Sequence, residues 1–253
     1  MAPRPAGHRA IVTADAAPRR SLAEQDVAEL GGRLSVLTRQ KRDHVRLEEL
    51  LHELAATPPA GQDAVLRRVY RLVFPHAFAE EAVLWPVLRR TLPDGPALTL
   101  QIEQEHQEVN ELVTALEQLP VDADERPTVH DRLVEVLRGD VRDEEDQLLP
   151  ELQDRVSPRR LRALGLAWEA VRRVAPTRAH PVVARRPPGN AVAAVPLAVL
   201  DRLRDVVDAV LQSGPGRGGP ALERVSRGLT RASHAVEHAP LMRRGEDPST
   251  SRA

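Results

Sequence analysis

Cysteine is absent from the 253-residue chain. That excludes thiolate catalysis, cysteine-ligated zinc, iron–sulfur clusters and disulfides. Aromatics are scarce, limited to Tyr70, Phe74, Phe78, Trp85 and Trp168. The core must therefore be Leu, Val and Ala, which suits packed helices better than a β-sandwich. An excess of one charge is also missing. A net charge of −1 gives no electrostatic case for a nucleic-acid partner. No uninterrupted apolar run is long enough to cross a bilayer. The best stretch, 191–199, contains Pro196 and runs into Asp201, Arg202 and Arg204. The Ala/Pro/Arg-rich residues 1–20 lack the apolar segment of a secretory signal. The expectation is a soluble, cytoplasmic protein with no membrane partner.

What the chain does have is helical periodicity. Ser21-Leu22-Ala23-Glu24 has the form of a capping box. Apolar residues then recur at helical spacing through Leu30, Leu34, Leu37, Leu47, Leu50, Leu51 and Leu54, up to the Pro/Gly break at 57–61. A second stripe runs from Val65 to Val87, a third from Leu98 to Leu116, and a fourth from Val129 to about Leu152. Short breaks between them predict an all-α, up-down-up-down four-helix bundle. Pro75, Pro86 and Pro150 should each kink or restart a helix. Ser157-Pro158 predicts a fifth helix to about Arg173. The domain reading is a disordered segment at 1–20, a bundle plus fifth helix at 21–173, a Pro/Arg-rich linker at 174–195, a helical pair at 196–240 and a disordered tail at 241–253.

The bundle carries a weak internal repeat. His44 with the Leu47-Glu48-Glu49-Leu50 that follows resembles His106 with Val109-Asn110-Glu111-Leu112. The segment His76…Glu80-Glu81…Leu84-Trp85-Pro86 resembles Asp140…Glu144-Glu145…Leu148-Leu149-Pro150. These polar residues sit on the apolar stripes. Burying six titratable groups in one layer costs roughly 1–3 kcal/mol for each unsatisfied group, and more for charges. A metal removes that cost by taking imidazoles and carboxylates as ligands. The i, i+4 spacing stacks His76 and Glu80 on one helix face, where the pair can reach one metal or bridge two.

At these residues the chain resembles the hemerythrin-like HHE cation-binding family, over roughly residues 25–155. The matching elements are Asp43-His44 before Leu47-Glu48-Glu49, the segment 76–86, the segment 105–109 and the segment 140–150. The resemblance implies a non-haem metal site, di-iron with manganese as the alternative, held by His44, His76, Glu80, His106 and Glu144. Asp140 departs from it, standing where the family has a histidine. A shorter, charged ligand there should make the two metal positions unequal. Asn110 likewise replaces the second helix-three histidine of oxygen-carrying hemerythrins.

Two other motifs compete weakly. Glu49–His52 and Glu103–His106 have the Glu-x-x-His spacing of ferritin-like di-iron proteins. His234-Ala235-Val236-Glu237-His238 has the inverted zinc-peptidase pattern but reads as an exposed helix end. The leading expectation is an iron protein that senses or acts on a small diatomic or peroxide (O2, NO, H2O2), as in oxidative stress. The alternative is a helical interaction module, metal-stabilised or metal-free with a site degraded by Asp140, that binds a protein partner through its C-terminal helices. Phe74, Phe78 or Tyr70, which cluster beside His76, is expected to help wall the site from solvent.

Overall fold

The computed structural model describes residues 19–186, 188–212 and 219–250. Among them are helices and turns but no strand. The expected disorder of residues 1–18 and 251–253, and the Gly/Pro-rich break at 213–218, lie outside the described residues.

Four helical rods form the bundle. The first is α1 (Val36–Ala56). The second is α2 (Pro59–Ala79), which runs through a π-turn at Glu80–Leu84 into α3 (Trp85–Thr91). The third is α4 (Gly95–Gln118), and the fourth is α5 (Arg126–Asp143) with a π-turn at Glu144–Leu148 and α6 (Leu149–Arg155). Next, α7 (Pro158–Val174) packs on α1 and α2, and α8 (Gly189–Gln212) pairs with α9 (Gly219–Glu237). The bundle's core splits into two apolar clusters. One surrounds Leu37, Trp85, Leu148 and Trp168; the other surrounds Leu54, Val69, Val113 and Leu133. A third, smaller one around Val183, Ala193 and Leu197 lies in the C-terminal part. His44, His76, His106 and their carboxylate partners belong to none of these clusters.

The first helix does not begin at Ser21. Ser21 caps only a 3-10 turn, Leu22–Glu24, and α1 starts after Ser35, whose hydroxyl accepts from Leu37 N at 3.3 Å. Gly31 and Gly32 lie between, at φ 89° and 94°, a left-handed conformation that ends a helix. Leu30 and Leu37 are buried, but Leu34, expected on the same stripe, is 49% exposed, because the turn through Gly31 and Gly32 breaks the helical register between them.

Pro86 and Pro150 produce the expected restarts, each within the first turn of its new helix. Pro75 does not break α2. The C-terminal part differs more. The helix expected from Pro196 begins at Gly189 and continues through that proline. Proline there frees the Val192 carbonyl, but Val192 is 39% exposed and water can reach it. The expected linker is packed rather than open, and residues 241–250 are tied to it. Ala184 N donates to Met242 O at 2.9 Å and Gly189 N to Arg244 O at 3.0 Å. Such backbone pairing leaves no mark in composition.

Candidate metal centre

Each bundle rod delivers its polar residues to one level. α1 supplies His44; α2 supplies His76 and, at its end, Glu80; α4 supplies His106; α5 supplies Asp140 and, at its end, Glu144. All are buried except Asp140, which is half-buried. The two π-turns start at the two glutamates. Trp85 N donates to Glu80 O, and Leu149 N to Glu144 O. Six residues beyond each glutamate stands a proline, Pro86 or Pro150, without an N–H to continue the α-helical ladder. The wider turn absorbs the mismatch at the site itself, as π-bulges often do.

The side chains form two overlapping groups. His44, His76, Glu80 and Glu144 offer ligand atoms all within 4.8 Å of one another, and so do His106, Asp140 and Glu144. Glu144 is common to both. Glu80 also faces both ways, with Oε1 3.1 Å from His76 Nε2 and Oε2 3.7 Å from His106 Nε2. His44 Nε2 lies 3.2 Å from Glu144 Oε2, and His106 Nε2 lies 3.7 Å from Asp140 Oδ1.

All three histidines turn Nε2 inward and Nδ1 outward to a second carboxylate. His44 Nδ1 donates to Glu145 at 2.9 Å, His106 Nδ1 to Glu81 at 2.9 Å, and His76 Nδ1 to Asp43 at 3.4 Å. Each outer carboxylate neighbours a candidate ligand in sequence but serves a histidine on another rod. Such partners fix the tautomer that leaves Nε2 free for a metal. Sequence reasoning missed Asp43, Glu81 and Glu145. The signal was the acidic doublet Glu80-Glu81, repeated as Glu144-Glu145.

The inner oxygens lack what their burial demands. Both oxygens of Glu80, Glu144 Oε1 and Asp140 Oδ1 are buried without a hydrogen bond. A buried carboxylate oxygen that accepts no hydrogen bond is unfavourable, so these oxygens fit a bound cation. Without one, the site draws protons. Burial, with the nearby Glu144, pushes Asp140 well above the carboxylate range, and burial with Glu80 raises Glu144. Burial opposes protonation of His44, but Glu144 and Glu145 outweigh it and raise the imidazole to about 9. Asp140 and Glu81 similarly lift His106 to about 10 against its burial.

The rings against the histidines are not those expected. Trp168 meets His76 edge-on at 5.3 Å between centroids, and Trp85 stacks on His106 at 6.2 Å. Phe74 packs with Tyr70 in the second core cluster, and Phe78 lines a cleft beside Glu81. The competing motifs disperse. Glu49 and His52 are exposed, and Glu103 pairs with Arg89 and Arg186. His234 and His238 are exposed, while Glu237 accepts from His180.

Residues 35–152 match the family described as "Hemerythrin HHE cation binding domain". That span contains every candidate ligand. Residues 35–152 are a hemerythrin HHE domain. The chain is also 26% identical over 134 residues to an uncharacterized hemerythrin-like protein of Schizosaccharomyces pombe, covering 53% of this chain and 66% of that protein. No solved structure gives a significant match. Among the described residues, no helix is long and apolar enough to cross a membrane.

Proposed function

We propose that the hemerythrin domain holds two iron ions, one in each of its overlapping ligand groups, and senses or acts on a small diatomic molecule or peroxide. The observation that carries this reading is the sharing of Glu144, and of the two faces of Glu80, between groups whose buried inner oxygens accept no hydrogen bond and face the histidines' Nε2 atoms. Two carboxylates that each face two histidine sets suit a pair of cations better than one. Mixed imidazole and carboxylate donors, with no thiolate, favour iron or manganese over softer ions. Bound there, iron supplies open coordination positions and one-electron redox chemistry.

The residues do the rest. Asp43, Glu81 and Glu145 hold the imidazoles in one tautomer, and Trp85 and Trp168 back two of them with apolar surface that excludes water. The His106 group has one imidazole and the His44 group has two. The poorer His106 position is therefore the one with room for an outside ligand. The test is metal analysis of the purified chain, with its optical spectrum recorded before and after hydrogen peroxide or nitric oxide. The expected result is about two irons per chain and a spectrum that changes with one of these molecules. A chain that stays free of metal in excess iron contradicts the reading.

A further inference from the structure

Outside residues 35–152, two arginines reach back to the outer carboxylates of the site. On α7, Arg172 Nη1 lies 3.6 Å from Asp43 Oδ2, the oxygen that accepts from His76. Arg172 also lies over the Trp168 ring, 5.3 Å from its centroid, and that ring meets His76. On the segment between α7 and α8, Arg185 Nη1 lies 3.9 Å from Glu81 Oε1, the oxygen that accepts from His106. Arg185 Nη2 donates to Gln107 at 2.7 Å, next to His106 on α4. Both arginine side chains are mostly covered, at 24% and 11% exposure, so their charges are little screened. The two contacts are alike in form and fall one on each ligand group.

The Arg185 contact is part of a longer strap. Residues 180–186 lie along α4 over Glu103, Gln107 and Asn110, which are all buried. His180 N donates to Asn110 Oδ1 at 2.9 Å, Gln107 Nε2 to Pro181 O at 3.2 Å, and Arg186 Nη2 to Glu103 at 2.6 Å. Only Arg185 in this strap faces an outer carboxylate of the metal site. Arg186 grips α4 equally firmly but through Glu103, which takes no part in the site.

We infer that Arg172 and Arg185 are positioning residues for the two metal positions, acting through Asp43 on His76 and through Glu81 on His106. Each guanidinium fixes the carboxylate that fixes the imidazole. The C-terminal extension thereby contributes one arginine to each ligand group, while Arg42 of α1 donates to the other oxygen of Asp43 at 2.9 Å. This inference rests on the proposed two-ion centre.

The experiment is anaerobic calorimetric titration of iron(II) into the full chain and its variants. Loss of an outer-shell partner weakens metal binding by roughly 10- to 100-fold. Arg185→Leu is expected to weaken one of two binding steps to that extent and leave the other within about twofold. Arg172→Leu is expected to weaken the other step. Arg185→Lys, which keeps the charge, should recover part of the loss. Arg186→Leu loosens the strap while Arg89 still pairs with Glu103, and should leave both steps unchanged. The inference is overturned if both leucine variants bind as wild type does, or if Arg186→Leu weakens binding as much as Arg185→Leu. Wild type that binds no iron(II) overturns the two-ion reading, and this inference with it.

Discussion

At the residue scale the informative position is Asp140. It is the most exposed of the candidate ligands, and it stands where the other half of the repeat has His76. Asp140→Ala should weaken the His106-side ion roughly tenfold or more, at least the loss that an outer-shell partner causes. Asp140→His should bring the two positions closer in affinity. Counting ions per chain at limiting iron checks both; an alanine variant that keeps two tightly held ions removes Asp140 from the ligand set. The six inner residues were legible in the sequence because the repeat placed them on apolar stripes twice. Their outer partners were not. Glu81 and Glu145 look like ordinary surface acids following a buried one, and Asp43 looks like a helical neighbour of His44. Their roles depend on which rod stands opposite, and one helix's periodicity does not carry that. The tryptophans were missed for the same reason, since Trp168 reaches His76 only through the packing of α7.

At the element scale the bundle followed from stripes and breaks, whereas the start of α1 did not. Leu30 and Leu37 keep a helical spacing across Gly31 and Gly32, and periodicity alone cannot see the turn between them. The cover provided by α7 rests on close backbone contact. A methyl group at Gly165 would stand 2.1 Å from Leu34 O and 2.8 Å from Val36 N. Backbone atoms cannot step aside cheaply, so Gly165→Ala should destabilise the fold by roughly 1–3 kcal/mol, despite the gain of about 1 kcal/mol in helix propensity. Gly228 on α9 has open space around it, and Gly228→Ala should stabilise by about 0.5–1 kcal/mol. Urea denaturation distinguishes the two; stabilisation at Gly165 would mean that α7 does not approach so closely.

At the scale of the whole molecule, the C-terminal part is held together by a buried ionic cluster, beside the point where His180 N donates to Asn110 on the bundle. His180 Nε2 lies 3.0 Å from Asp201 and Nδ1 2.9 Å from Glu237, joining the strap to α8 and α9. Burial opposes its protonation, but these two carboxylates outweigh it and raise His180 to about 9. Burial also opposes ionisation of Asp201, yet His180 brings its carboxyl below the ordinary value. A raised histidine stabilises the fold fully below its unfolded pKa of about 6.5, and that contribution is lost as pH rises through about 9. The Asp201 contribution is present above its unfolded value and is lost as pH falls through its lower folded value. Thermal unfolding should therefore shift downward between pH 7 and pH 10 more in wild type than in His180→Gln. Equal shifts would mean that His180 does not hold these elements together.

The central claim, a two-ion centre shared by Glu80 and Glu144, is tested most directly by anomalous diffraction from crystals grown with iron(II). Two peaks are expected, one among His44, His76, Glu80 and Glu144 and one among His106, Asp140, Glu80 and Glu144. A single peak, no peak, or peaks away from these side chains would contradict it.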